Sequence, residues 1–205
     1  MKSILKFPSL YIFYQKIIGD KNFRKYYSEK YLRIKNKQRV LDFGCGPGNI
    51  IPYLPNDIEY YGVDQSKEYI NYAKKHFKKS NYKFIEASIN DISLNIKNFD
   101  VVMANAILMN LNDYEAGLLF KNAYNLLKNG GRLVIYDGCY SLNLSLIEQI
   151  LLNNERGEVL RTKEDYFKLA SKFFKEININ TRNDLYRIPY PSIIIECIKA
   201  NTGSS

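Results

Sequence analysis

Histidine and cysteine are scarce in this chain of 205 residues, and their scarcity narrows the chemistry open to it. The one histidine, His76, lies in a polar stretch, so a Ser-His-Asp triad and histidine-based metal sites have little support. The three cysteines, at positions 45, 139 and 197, form neither a CxxC pair nor a disulfide framework. We therefore expect no metal site, free thiols and a cytoplasmic location.

Long apolar runs are also missing. No stretch approaches the ~20 apolar residues of a membrane helix. Pro8 and several tyrosines interrupt the basic start of the chain before the apolar core of a signal peptide can form. The 46% hydrophobic and 25% charged residues are typical of a globular protein, and the length favours one domain.

Acidic residues are outnumbered, with 21 Asp and Glu against 30 Lys and Arg, which gives a net charge of +9. Proteins that bind nucleic acids concentrate such charge in a patch, whereas here it is spread along the chain. The densest cluster, Lys74, Lys75, Lys78 and Lys79, has helical spacing and predicts a solvated helix face. A nucleic-acid partner is therefore disfavoured, and the oligomeric state is left open.

Short apolar runs alternate with amphipathic stretches along most of the chain. Strands are predicted at residues 39–43, 59–64, 82–87, 99–104 and 132–137. Two more, at 176–182 and 192–200, follow one another directly and favour an antiparallel pair at one edge. This order predicts an α/β fold, a three-layer Rossmann-like sandwich whose seven-stranded sheet is mostly parallel with one antiparallel edge strand.

The first 38 residues differ from the rest because they contain helical patterns and no strand. Gly19 and Asp20 separate two helix-like stretches, and the second carries aromatic residues at helical spacing. We predict an N-terminal helical cap at 1–38, followed by one globular domain at 39–205.

A glycine-rich turn, Asp42-Phe43-Gly44-Cys45-Gly46-Pro47-Gly48, lies between the first strand and a helical stretch. Ligands of open α/β sheets bind at the carboxyl ends of the strands, where such turns lie. The third glycine is misplaced for a dinucleotide fingerprint, and Asp42 would repel a pyrophosphate but suit an ammonium group. Asp64, which ends the second strand, can accept hydrogen bonds from ribose hydroxyls. An amino-acid head joined to a ribose describes S-adenosylmethionine.

Residues 40–50, VLDFGCGPGNI, resemble the first signature of the class I S-adenosylmethionine-dependent methyltransferases, here of a small-molecule, bacterial-like type. Segments that resemble the later signatures follow in order, at residues 61–66, 84–94, 99–102 and 126–133. The resemblance implies S-adenosylmethionine as cofactor and S-adenosylhomocysteine as product. It also implies direct in-line transfer of the methyl group to an O or N atom of a small-molecule acceptor.

The resemblance further implies roles for individual residues. Gly44 and Gly46 would contact the methionine part, and Asp64 would bind the ribose. The other cofactor-binding residues it implies are Asp42, Gln65, Ser88, Ile89 and Ala104, with Tyr14 and Gln15 as lid contacts. Ser88 departs from the family pattern, which often has aspartate there, so its contact with the adenine amino group is weakened.

The acceptor side is less standard. Asn110 stands where many small-molecule methyltransferases carry histidine, and an amide orients a substrate but is no base at neutral pH. Tyr140 and Tyr190 are candidates to line an acceptor pocket. Three arginines either form an anion pocket or pair with nearby acids on the surface: Arg156, Arg161 and Arg187. Two other functions stay open, an RNA- or protein-modifying methyltransferase and a non-catalytic S-adenosylmethionine-binding protein.

Overall fold

The computed structural model describes residues 20–90, 96–141, 159–186 and 189–201. Its strands are β1 (Arg39–Phe43), β2 (Glu59–Asp64), β3 (Tyr82–Glu86), β4 (Phe99–Asn105), β5 (Leu127–Gly138), β6 (Glu176–Arg182) and β7 (Ser192–Ile198). Its α-helices are α1 (Asp20–Tyr27), α2 (Lys67–His76), α3 (Asp113–Leu126) and α4 (Lys163–Ser171). Shorter turns of helix lie at Ser28–Leu32, Ile51–Tyr53 and Leu108–Asn110.

All seven strands form one sheet in the order β3-β2-β1-β4-β5-β7-β6. Neighbours among β1 to β5 are parallel, and β7 pairs antiparallel with both β5 and β6. The predicted fold class is thus confirmed, with the antiparallel pair at one edge. Strand β7 runs antiparallel to the other six strands. It lies one place in from the edge of the sheet, between β5 and the edge strand β6.

Helices cover both faces of the sheet, which makes the three layers. On one face, α3 and α4 pack with residues such as Leu119 and Leu169 against Leu41 and Ile135. On the other face, α1 and α2 pack with Phe23 and Ile70 against the alternate residues of the same strands. The near-continuous apolar runs of the central strands therefore reflect burial on both sides.

The part of the N-terminal segment that the structure describes lies on the α2 face of the sheet. The rings of Phe23 and Tyr27 in α1 are buried against Tyr136 of β5, with ring centroids 4.5 and 5.9 Å away. Arg132, also in β5, donates to the carbonyl oxygens of Tyr31 and Leu32 at the end of the π-helical turn. A division into cap and domain at residue 38 stays a prediction.

The strand boundaries follow the expected ones to within two residues, and two elements differ more. The stretch after the glycine-rich turn forms only one 3-10 turn, because Pro55 disfavours a helical conformation at Leu54, which is extended. Strand β5 begins at Leu127, directly after α3, rather than at Arg132. The early start arises because Leu127 pairs with Phe99 of β4. Gly130 and Gly131 then belong to an irregular part of the strand, where the Gly130 N–H donates to Lys199 O.

Candidate cofactor site

The glycine-rich turn curls over the tip of β1 and leaves space beside it. The N–H groups of Gly44 and Cys45 both donate to Val63 O of β2, at 2.8 and 3.0 Å. Gly44 and Gly46 have φ angles of +69° and +53°, a backbone conformation that favours glycine. A Cβ at Gly46 would meet no described atom within 4 Å, whereas one at Gly44 would lie 2.8 Å from the Ile107 side chain. Gly46 therefore borders open space.

Asp64 lies at the carboxyl end of β2 and ties this turn to the start of α2. Its Oδ2 accepts from Gly46 N–H at 2.9 Å, and its Oδ1 accepts from Ser66 N–H at 2.8 Å. Burial raises the pKa of the Asp64 carboxyl, and the two N–H donors oppose that rise. Each carboxylate oxygen keeps a further lone pair, so the two can accept from two adjacent hydroxyls.

Asp42 lies beneath the turn and is fully buried on the α1 face of the sheet. Its Oδ2 accepts from the Tyr60 hydroxyl at 2.7 Å, and its Oδ1 has no hydrogen-bond partner among the described residues. Burial raises its pKa from 3.8 to about 7, with a small rise from Asp64, while the Tyr60 hydrogen bond and the charge of Arg24 lower it. A donor with positive charge would satisfy Oδ1 and stabilise the carboxylate.

The predicted adenine-side residues follow β2 and β3. Gln65 is exposed beside Asp64, and Ile89 is buried in the core cluster with its carbonyl accepting from Asn122 at 3.4 Å. Ser88 is half-buried, and its hydroxyl accepts from Asn90 N–H at 3.2 Å. These residues lie at the carboxyl ends of the strands, as Asp64 does. Their contacts with adenine stay predictions.

The turn after β4 also lies at the carboxyl ends of the strands. Asp137, which the sequence analysis did not single out, holds this turn in place. Asp137, at the end of β5, is buried and accepts from the N–H groups of Leu108 and Met109 at 2.7 and 3.3 Å. Ala104, predicted to lie near the methionine part, is fully buried at the end of β4. The only signal for Asp137 was an acid at a strand end, which is weak on its own.

The candidates for the acceptor side differ in their exposure and in their hydrogen-bond partners. Asn110 is exposed and donates to Ala106 O at 3.2 Å, and Tyr140 is 38% exposed just beyond β5. Tyr190 is half-buried, with its ring centroid 6.1 Å from that of Tyr186. The structure does not bring Arg161 to an anion pocket. Its buried guanidinium donates to Leu108 O, Leu111 O and Asp113, at 2.6 to 3.1 Å.

Arg161 thus pairs with an acid within the protein, as one of the two interpretations expected, but it does so while buried rather than on the surface. Four candidates, namely Tyr14, Gln15, Arg156 and Arg187, lie outside the described residues.

The residues present suit an S-adenosyl ligand on three structural grounds. Gly46 borders open space, Asp64 keeps free lone pairs beside it, and Asp42 has a buried oxygen without a donor. The first two lie at the carboxyl ends of the neighbouring strands β1 and β2, where ligands of open α/β folds bind.

This sheet, with the glycine-rich turn after β1 and the acid after β2, defines a class I S-adenosylmethionine-dependent methyltransferase. The chain belongs to a family described as a methyltransferase domain, whose model matches residues 34–188. S-adenosylmethionine is the cofactor of this family.

The chain is similar to several known methyltransferases. It is 29% identical over 160 residues to phosphoethanolamine N-methyltransferase 3 of Arabidopsis thaliana, which covers 76% of this chain and 32% of that protein. The chain thus spans about a third of the length of this relative. Phosphoethanolamine N-methyltransferase 2 of Haemonchus contortus, solved in complex with S-adenosylmethionine, superposes with a TM-score of 0.69 at 16% identity, over 89% of this chain and 53% of that one.

A Methanosarcina mazei S-adenosylmethionine-dependent methyltransferase superposes with a TM-score of 0.68 at 18% identity, over 82% and 95% of the two chains. Within the described ranges, no helix is long and apolar enough to cross a membrane.

The titration of Asp42 predicts a pH dependence of cofactor binding. An ammonium group beside Oδ1 favours the carboxylate, so binding releases a proton wherever the unliganded carboxyl is protonated. Because the pKa of Asp42 is about 7, affinity for S-adenosylhomocysteine is expected to rise about tenfold between pH 6 and pH 8, when measured by calorimetric titration.

Asp42→Asn is the control for this prediction. The ligand's own ammonium group lies next to its carboxylate, which raises its pKa above that of a chain N-terminus, so it stays mostly charged across this range. The ratio of wild-type to variant affinity therefore isolates Asp42. A ratio that stays constant across this range would contradict the assignment of Asp42 to the ammonium group.

Proposed function

We propose that this chain transfers the methyl group of S-adenosylmethionine to a nitrogen or oxygen atom of a small-molecule acceptor, with an amine favoured. The support for an amine comes from the relatives, several of which are named phosphoethanolamine N-methyltransferases, from plants and from Haemonchus contortus. The sequence identity to these relatives is 29% or less, and the plant enzymes are about three times as long as the matched region.

The open space at Gly46 is the observation that carries the proposal. Asp64 binds the ribose hydroxyls there, the glycine-rich turn accommodates the methionine part, and Asp42 pairs with its ammonium group. Bound S-adenosylmethionine supplies a methyl group on a positively charged sulfur, which any aligned lone pair can attack. The chain then needs to orient the acceptor and exclude water.

The described candidates for the acceptor side, Asn110, Tyr140 and Tyr190, include neither a histidine nor a carboxylate, which favours an acceptor whose lone pair is readily freed. His76 lies near the end of α2, exposed and stacked on Tyr72 at 3.8 Å, far along the helix from Ser66 and the cofactor side. Asn110 cannot remove a proton. A hydroxyl of high pKa gains most from a general base, whereas an alkyl ammonium, with a pKa of about 10, frees its lone pair by losing a proton to water before it attacks. We therefore favour N-methylation.

The lysine cluster of α2 argues against an RNA substrate. Helix α2 begins at Ser66, next to Asp64, and its basic residues Lys74 and Lys75 lie in the last turn. Lys79 donates to Asn56, which precedes β2, so this charge lies toward the amino ends of the strands. An RNA-modifying enzyme would need that charge around the cofactor side.

A turnover panel tests the proposal. Formation of S-adenosylhomocysteine would be measured with phosphoethanolamine, ethanolamine, a catechol, bulk tRNA and a histone mixture, with Asp64→Ala as the inactive control. We expect turnover with a small amine, and a preference for phosphoethanolamine over ethanolamine would indicate recognition of the phosphate. Tight cofactor binding without any turnover would favour the non-catalytic alternative, and methylation of tRNA or histones alone would also overturn the proposal.

A further inference from the structure

Strand β6 forms one edge of the sheet, and its outer side has no partner in the part of the chain that the structure describes. On its inner side, β6 pairs with β7 through all seven of its residues in an unbroken register. On its outer side, no described residue forms a backbone hydrogen bond with it. An unpaired strand edge is a template for another strand, so proteins usually protect it.

The two edge strands of the sheet differ in this protection. Strand β3, at the opposite edge, has only five residues and carries the exposed Lys83. A short edge strand and a lysine on it are both common devices against edge-to-edge pairing. Strand β6 is longer, contains neither lysine nor proline, and has no bulge in its pairing with β7. It is therefore the edge that can accept a further strand.

The sequence of β6 is complementary to itself in the antiparallel direction. When two copies of β6 pair about a two-fold axis at Ile179, Glu176 of each copy lies opposite Arg182 of the other. Asn178 likewise lies opposite Asn180, and these four residues share the α1 face of the sheet because alternate residues of a strand face the same way. Opposite charges that face each other across two strands stabilise the pair.

The other face of β6 is apolar and incompletely covered. Ile177 and Ile179 pack against the core cluster of α3 and α4 but are only partly buried. In the same pairing, Ile177 lies opposite Thr181 of the partner subunit, and the two copies of Ile179 lie opposite each other. A second strand would extend this apolar face and remove part of its surface from water.

The charged pair also selects the register. A slip of two residues in either direction leaves two residues of each strand unpaired and separates Glu176 from Arg182. The Arg182 guanidinium is held at the end of β6, where it donates to Asp184, Tyr26 and Tyr31 at 2.6 to 3.1 Å. These described contacts use four of its five N–H groups, which leaves one on Nη2 for a carboxylate of the partner subunit.

We propose that β6 is a dimer interface, at which a second copy of this chain adds its own β6 in antiparallel orientation. The two seven-stranded sheets then form one continuous sheet about a two-fold axis at Ile179. A single pair of strands buries less surface than an obligate dimer does, so we expect a dimer that dissociates at micromolar concentrations. The proposal does not depend on the methyl acceptor.

Sedimentation velocity of the full chain over a range of micromolar concentrations measures the dissociation constant, and two double variants test the interface. Asn178→Lys/Asn180→Lys sets like charges opposite each other at two positions and should weaken dimerisation by about tenfold or more. Asn178→Lys/Asn180→Glu sets opposite charges at the same two positions and should restore dimerisation to within a few-fold. In either slipped register this second variant would set like charges opposite each other, so the restoration is specific to the proposed pairing.

Asn71→Lys/Asn125→Lys is the matched control, because it adds the same charge at exposed positions of α2 and α3 and should leave dimerisation unchanged. Both substituted residues of β6 are exposed, so affinity for S-adenosylhomocysteine should stay the same in every variant and report that the monomer is folded.

Three results would overturn the interface. The first is a wild-type chain that stays monomeric throughout the micromolar range. The second is a dimer that Asn178→Lys/Asn180→Lys leaves unchanged, since it must then form through another surface. The third is an Asn178→Lys/Asn180→Glu protein that binds S-adenosylhomocysteine but stays monomeric, and this result decides the question even where the double-lysine variant fails to fold.

Discussion

Replacing Asp64 by alanine is expected to weaken binding of S-adenosylhomocysteine by at least tenfold. The carboxylate accepts from Gly46 and Ser66 N–H groups, which aim its remaining lone pairs at the space beside the glycine-rich turn. A hydrogen bond to a charged group contributes about 1.5–3 kcal/mol, and about 1.4 kcal/mol corresponds to a tenfold change in affinity. Calorimetric titration of both proteins measures the effect directly.

Two controls make this result decisive. Asp57→Ala removes an exposed carboxylate from the loop before β2 and should leave affinity unchanged. Gly46→Ala keeps Asp64 but places a methyl group in the open space, so it should also weaken binding, whereas Gly117→Ala in α3 should not. Unchanged affinity in a folded Asp64→Ala protein would remove the ribose assignment.

Arg161→Met is expected to lower the free energy of unfolding by about 2–4 kcal/mol. The guanidinium is 2% exposed and donates to Leu108 O, Leu111 O and Asp113, so its loss leaves buried carbonyl oxygens without donors. Each such group costs about 1–3 kcal/mol, while the exposed Asp113 carboxylate returns to water. Urea unfolding followed by circular dichroism gives the value.

Arg33→Met is the matched surface control for Arg161. Arg33 is half exposed and pairs with Glu196, so its loss should cost about 0–1 kcal/mol, as for other surface ion pairs. Equal effects of the two substitutions would show that the buried contacts of Arg161 add little to stability.

The sheet could be predicted because its signals are local. The first strand, Arg39–Phe43, is an apolar run ended by glycine, and Ser66 caps α2 by accepting from Tyr69 N–H at 3.3 Å. Both features depend on residues close together in sequence. The motif at Asp42 to Gly48 likewise indicated where the cofactor binds, since a turn after the first strand has only one place in such a fold.

The acceptor side could not be predicted because its contacts join distant segments. Arg161 pairs with Asp113, 48 residues earlier, although its sequence context was also compatible with an anion pocket. Asp137 holds the turn after β4 from the neighbouring strand, 29 residues from Leu108. The position of Tyr27 over β5 depends on how α1 docks, and no periodicity encodes that choice.

The place of β7 inside the sheet has a consequence for biosynthesis. Strand β5 pairs on one side with β4 and on the other with β7, which begins 54 positions after β5 ends. While the ribosome is still translating that interval, the β5 edge of the nascent polypeptide has only solvent or another chain to pair with. Exposed strand edges promote aggregation. We therefore expect elongation pauses between β6 and β7 to increase the dependence of this enzyme on chaperones.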